Sequence, residues 1–509
     1  YQLALSDAPD EEILQAFIKA QLPDQFIDDF KTFFEAIRHP IAIRSSSLLE
    51  DSHYQPFAGI YSTYMIPYLD DKDEMLRMLA AAIKSVYASV YFKDSKAYMT
   101  ATRNVIDQEK MAVILQEVVG KQYGDHFYPN FSGVLRSINY YPLGYEKSEE
   151  GIASLALGLG KYIVDGGQTL RVSPYHPTQV LQTSDMEIAL RQTQTQFYAL
   201  DMKRVGVDFK VDDGFNILKL KVKDAENDGA LNFIASTYDA NDRVIRDGLY
   251  DGGRKIVSFN GVLRHGVFPL PELLKLSMHN GADSMRRPVE IEFACTLNDD
   301  RTGEFYLLQI RPIVDSKQVL DQDIMTIPDD KCLLRSHNSL GHGVSDDIVD
   351  VVYVKTDENF TASDNPVVAM EVERINKKFL ADGKNYVLVG PGRWGSSDSW
   401  LGVPVKWSHI SAAKLIVETT LKNYSVDPSQ GTHFFQNLTS FGVGYFTIDE
   451  NKGMGFFRKE ILDAMPAVEE TPHVRHVRFS KPLHIMMDGM KQEGLVICDT
   501  EDAKGNDAR

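Results

Sequence analysis

The stretch that decides the fold reads Val289-Glu290-Ile291-Glu292-Phe293, crosses Asn298-Asp299-Asp300-Arg301-Thr302-Gly303, and returns as Phe305-Tyr306-Leu307-Leu308-Gln309-Ile310-Arg311-Pro312. Two apolar-rich runs flank a segment of turn chemistry, the pattern of an antiparallel hairpin. Successive side chains of a strand point to opposite faces, so Glu290 and Glu292 share one face, and so do Gln309 and Arg311. Two carboxylates, an amide and a guanidinium on adjacent strands form a magnesium-phosphate platform: the carboxylates hold a hard cation and the arginine meets its phosphate. The same residues also suit a solvated strand face with cross-strand ion pairs.

Upstream, Ile41-Ala42-Ile43-Arg44 reads as a strand running into Ser45-Ser46-Ser47. An arginine at a strand end beside small hydroxyl residues presents a permanently charged fork to phosphate oxygens. The competing reading pairs it with Glu50 or Asp51. Met111 to Val119 reads as a buried strand interrupted by Gln116. Gly158-Leu159-Gly160-Lys161 is a glycine-rich turn of the kind that lets backbone amides approach a phosphate. It fits neither of the common phosphate-loop patterns, because Ile163 stands three residues after Gly160, and an ordinary tight turn is the alternative.

Hydrophobic periodicity predicts helices over 11–21, 25–38, 71–92, 186–202, 271–279, 369–380 and 409–423. Further strands are expected at 133–137, 218–222, 256–262, 349–355, 386–389 and 442–448. Strands and helices mix without strict alternation, so the fold class is α+β. An acidic, weakly periodic segment at 317–330 reads as a linker between a nucleotide-binding part, 1–316, and a smaller α/β domain, 331–497; a polar tail, 498–509, is expected to fray.

With 509 residues, 43% hydrophobic and 25% charged, the chain has material for several globular cores. Its 72 acidic against 54 basic residues give a formal charge of −18, which argues against nucleic acid or an anionic membrane as main partner. Phosphate-bearing small molecules remain compatible, since a few aimed groups bind them. Cys295, Cys332 and Cys498 form no C-x-x-C pair, which disfavours a disulfide framework and a cysteine zinc site and fits a cytoplasmic location. The opening carries Asp7, Asp10, Glu11 and Glu12, and no apolar run reaches membrane-spanning length, so neither a signal peptide nor a membrane span is expected.

Several blocks, taken in order, resemble the nucleotide-binding region of phosphoenolpyruvate synthase (pyruvate, water dikinase) and pyruvate phosphate dikinase. They are Ile41 to Asp51 with Phe57 to Thr63, Ala82 to Val90, Met111 to Val118, Phe131 to Val134, Leu157 to Gly160, and Val289 to Phe293 through Leu308 to Pro312. The resemblance implies an ATP-grasp-like fold with ATP and Mg2+ as cofactors. It also implies Arg44 and Arg311 on the ATP phosphates, Glu290, Glu292 and Gln309 around the metal and the transferring phosphoryl group, and Gln116 near the nucleotide. Two departures stand out: the family's Gly-Gly-Lys-Gly-Ala-Asn-Leu element matches nothing before Arg44, so it lies upstream of Tyr1 or is missing, and Glu290 replaces the usual Asp.

Residues after Pro312 leave no room for a pyruvate-binding barrel, so the chain is expected to be incomplete for phosphoenolpyruvate synthesis by itself. Pro404 to Ala413, with Ser408-His409, resembles the family's phosphohistidine motif, and Leu340 to Val344 resembles the start of that domain. His409 is accordingly the candidate acceptor, against a capping or packing role. Gly390-Pro391-Gly392-Arg393-Trp394-Gly395 reads either as an anion cradle or as a rigid loop pinned by Trp394. His473 and His476 have metal-like spacing but no third ligand nearby, and read as structural. The expected function is ATP-dependent phosphoryl transfer to a histidine or another acceptor; the alternative is a non-catalytic nucleotide sensor or scaffold on the same fold.

Overall fold

The computed structural model describes residues 2–47, 60–101, 109–139, 146–184, 186–206, 208–313, 324–356, 360–396, 398–420, 443–489 and 491–498. Glu50 and Asp51, most of the expected linker and nearly all of the expected tail lie outside them. The chain divides into two compact units, the first ending at Ile313 and the second taking up the chain from Val314.

In the first unit, the Ile41–Ser47 strand lies between Tyr64–Ile66 and Met111–Glu117, antiparallel to both. Ile41 and Ile43 face a core shared with Met75, Leu79, Ile83 and Val86 of the Lys72–Ser89 helix. That helix starts where the Asp71 carboxylate accepts the backbone N–H groups of Asp73 and Glu74, each at 3.0 Å. The stretch Lys72–Met99 is long and apolar enough to cross a membrane by length and composition, yet most of it is buried inside the protein. The Met111–Glu117 strand is only half-buried, contrary to expectation: Val113 and Leu115 pack inward while Ile114 is 49% exposed. Its apolar run covers one side of a three-stranded sheet and leaves the other face open.

A five-stranded antiparallel sheet runs in the order Gly303–Pro312, Val289–Leu297, Phe131–Arg136, Ile152–Leu157, Leu170–Val172. Val289, Ile291 and Phe293 on one face join Leu270, Leu274 and Met278 of the Leu270–Met285 helix in the largest described core. Alternation turns Glu290 and Glu292 to the opposite face. Gly281 permits the helix to sit this close, since a Cβ there would stand 2.7 Å from Ile310.

In the second unit, His342–Val354, Tyr386–Pro391, Ala413–Thr419 and Gly444–Ile448 are parallel neighbours. The Asn365–Asp382 helix lies between the first two in sequence, as a parallel connection requires. The sheet continues antiparallel through Val474–Asp488, Glu493–Ile497 and Cys332–Ser336. Mixed helix and strand throughout agrees with the α+β class.

Three further local expectations fail. The helix predicted over 186–202 stops at Gln192 and is followed by a strand, Gln196–Asp201, in which Phe197 and Ala199 alternate into the core. Of the helix expected over 409–423, residues 421–423 lie outside the described residues, and before them a single turn, Trp407–Ile410, precedes the Ala413–Thr419 strand, whose Leu415-Ile416-Val417 run is buried between two parallel neighbours. Such a doubly buried strand has no period-two polar signal, so its apolar run mimics a helix face. The strand expected at 256–262 ends at Val257 and turns into a short helix, Asn260–Leu263.

Candidate functional site

Cross-strand register builds the site. Glu290 lies opposite Arg311 and Glu292 opposite Gln309 in the hairpin, with an irregularity after Glu292. The register keeps Gln309 and Arg311 on the carboxylate face, and the irregularity that follows sets Phe293, which turns to the core, opposite Leu307. On the other side, Glu290 lies opposite Arg136. The Glu290 carboxylate is therefore flanked by guanidinium-bearing residues on both neighbouring strands.

Arg136 Nε donates to Glu290 Oε2 at 2.6 Å, and both side chains are only 4% exposed. A charge so deep is tolerable only when paired, and removing one partner of such a pair costs roughly 3–5 kcal/mol. Arg311 Nη2 donates to Glu292 Oε1 at 3.0 Å and to Gln309 Oε1 at 2.7 Å. From the three-stranded sheet, Arg44 Nη2 donates to the same Gln309 oxygen, Nη1 donates to Gln116 Oε1 at 3.1 Å, and Nη2 lies 3.6 Å from Glu292 Oε2. Arg44 and Glu292 keep nearly a fifth of their side-chain surface in solvent, so they form the open end of the cluster.

The cluster thus brings together Arg44, Gln116, Glu290, Glu292, Gln309 and Arg311, every candidate of the first unit. Arg136 was missed. Its sequence signal was a lone arginine in the otherwise apolar strand Phe131–Arg136, a position that demands a buried anion. Arg171, on the same sheet by register with Ser154, is committed to Glu146 at 2.7 Å.

The donor set does not suit the expected magnesium. Both carboxylates are engaged by guanidinium groups, and the Gln309 oxygen accepts from two of them. Among the described residues, no group of three or more His, Cys, Asp or Glu is placed to hold a metal. With both carboxylates and the Gln309 oxygen already held by guanidiniums, these residues do not fit a divalent cation.

The Gly158 turn is a packing device. Gly158 has φ +85°, and a Cβ there would stand 2.6 Å from the Tyr198 carbonyl oxygen. Lys161 is bound to Asp213 at 3.1 Å and Asp165 at 3.4 Å. Burial by itself would lower its pKa, but the two carboxylates outweigh burial and raise it.

In the second unit, His409 is the third residue of its short helix, not the first, and its Nδ1 accepts the Lys406 backbone N–H at 3.2 Å. Trp394 is buried and its indole N–H donates to the Val417 carbonyl at 3.3 Å, pinning the glycine loop; a Cβ on Gly390 would meet the indole at 2.4 Å. His476 Nε2 lies 2.7 Å from the buried Asp350, while His473 neighbours Glu371 at 3.6 Å, so the two imidazoles serve different partners. The side chain of Glu418 on the Ala413–Thr419 strand is enclosed by the Tyr445 and Thr447 hydroxyls and the Trp394 backbone N–H. Burial pushes its carboxyl up to about 7, against the pull of those donors and of Arg393.

Compared with known proteins, residues 4–331 match the family described as pyruvate phosphate dikinase, AMP/ATP-binding domain. The chain belongs to that family. A protein of Bacillus subtilis (strain 168) described as an uncharacterized phosphotransferase, YvkC, is 28% identical over 157 residues, which cover 31% of this chain and 17% of that relative. Membership in the pyruvate phosphate dikinase AMP/ATP-binding family makes the first unit an AMP/ATP-binding domain.

Proposed function

We propose that the first unit binds ATP in an ATP-grasp-like manner, with its polyphosphate against Arg44 and Arg311, and passes a phosphoryl group to an acceptor. The observation that carries this reading is the convergence of Arg44 and Arg311 on the Gln309 side-chain oxygen. Paired guanidiniums held by an amide are preorganised for phosphate oxygens, and phosphoryl transfer asks a protein for positioning and charge neutralisation above all. Ile114, directly opposite Arg44 and half exposed, supplies an apolar surface beside those charges, as an adenine ring requires. Gln116 lies on the same sheet face. Three buried cysteines that form no disulfide suit a reducing cytoplasm.

His409 is proposed as one acceptor. Its Nδ1 is occupied as a helix cap, so phosphorylation would require Nε2 as the nucleophile and a change of the proton's position. A second reading, a nucleotide sensor without turnover, is favoured by the burial of Glu290 under Arg136. Titration of the chain with ATP, followed by assay for AMP, ADP and phosphohistidine, separates the readings. Release of AMP or ADP supports transfer, binding without release supports the sensor, and no binding removes both.

A further inference from the structure

We infer that the first unit holds its nucleotide without a divalent cation, with Arg44, Arg136 and Arg311 supplying the positive charge that a metal on Glu290, Glu292 and Gln309 would otherwise bring. The inference rests on the reading that this cluster is the nucleotide site.

A magnesium ion demands six oxygen ligands in tight octahedral array and sheds water reluctantly, so its protein carboxylates must be accessible. Glu290 is not. Its carboxylate lies 2.6 Å from Arg136 Nε in a buried pair, in register between Arg136 and Arg311 on the two flanking strands. Glu292 is shared between Arg311 at 3.0 Å and Arg44 at 3.6 Å. The third expected ligand, the Gln309 oxygen, is the common acceptor of Arg44 and Arg311.

Charge points the same way. Arg44, Arg136 and Arg311 each bring a permanent positive charge to the two carboxylates, and the nearby Arg171 pairs with Glu146. A divalent cation would add to that charge, whereas a polyphosphate removes it. Guanidinium groups remain protonated at every physiological pH and pair with phosphate oxygens through two donors, so they replace a metal's charge without its coordination demands.

The test is calorimetric titration of the full chain with ATP, once in excess EDTA and once in saturating MgCl2. The inference expects dissociation constants within about threefold of each other. Affinity more than about tenfold tighter with MgCl2 overturns it. Absence of ATP binding in both buffers instead removes the site reading and the inference with it. Arg136→Gln, which takes away the charge that holds Glu290, is expected to create magnesium dependence of about tenfold or more in the same assay, and an unchanged ratio in a folded variant contradicts the inference. Should that variant not fold, the wild-type comparison still decides.

Discussion

Arg44 and Arg311 donate to one atom, the side-chain oxygen of Gln309, although they stand on strands of different sheets. Each guanidinium also touches Glu292, so the two arginines share both an amide and a carboxylate. Groups that share acceptors act as a unit.

Single substitutions Arg44→Ala and Arg311→Ala are each expected to weaken ATP binding by about 1.5–3 kcal/mol, the range for charged hydrogen bonds. The double variant should lose less than the sum, because each change already loosens the other guanidinium. Calorimetry on the four proteins measures the coupling, and strict additivity would show that the two arginines work separately.

The buried pair makes a stability prediction independent of any ligand. Arg136→Leu leaves Glu290 unpaired and should destabilise the first unit by roughly 3–5 kcal/mol. Arg136→Leu combined with Glu290→Leu should recover most of that loss, since a buried ion pair contributes little net stability over apolar side chains. Chemical denaturation of both variants checks the sign of the rescue.

At Gly158 the left-handed backbone and the approach of the Tyr198 carbonyl forbid a side chain. Gly158→Ala is expected to cost on the order of 1–3 kcal/mol and lower the melting temperature, with Gly124→Ala, which has open space, as the milder control. Equal shifts in the two variants would show that the close approach does not matter.

Glu418 predicts a pH dependence in the second unit. Its folded carboxyl titrates at about 7 against an ordinary 4.5, so between those values the folded state retains a proton that the unfolded state has released. Stability should therefore fall as pH rises through that window, by on the order of 3 kcal/mol, and stay low above it. Glu418→Gln should flatten the profile; a wild-type unfolding free energy that does not decline from pH 5 to 8 relative to the variant would contradict the assignment.

Much of this site was legible in the chain because strand geometry is periodic. Alternation alone put Glu290, Glu292, Gln309 and Arg311 on related faces, and the register bears that out. The pairing of Arg136 with Glu290 was not legible, because it depends on which strand becomes the hairpin's neighbour, a long-range choice that local pattern does not encode. The misread segment 409–423 failed because the buried run of the Ala413–Thr419 strand lacks the polar alternation by which a half-exposed strand announces itself, while in 186–202 a short helix passes into a short strand within one apolar window. Identity of the family came through order, since weak motifs in sequence along the chain are jointly specific where each alone is not.

The central claim is that Arg44 and Arg311 meet the polyphosphate of one ATP. A structure of the chain with bound ATP tests it directly: the account expects phosphate oxygens within hydrogen-bond reach of both guanidiniums, with the Gln309 oxygen released from at least one of them. A nucleotide seated elsewhere, with the arginines still closed on Gln309 and Glu292, would contradict it.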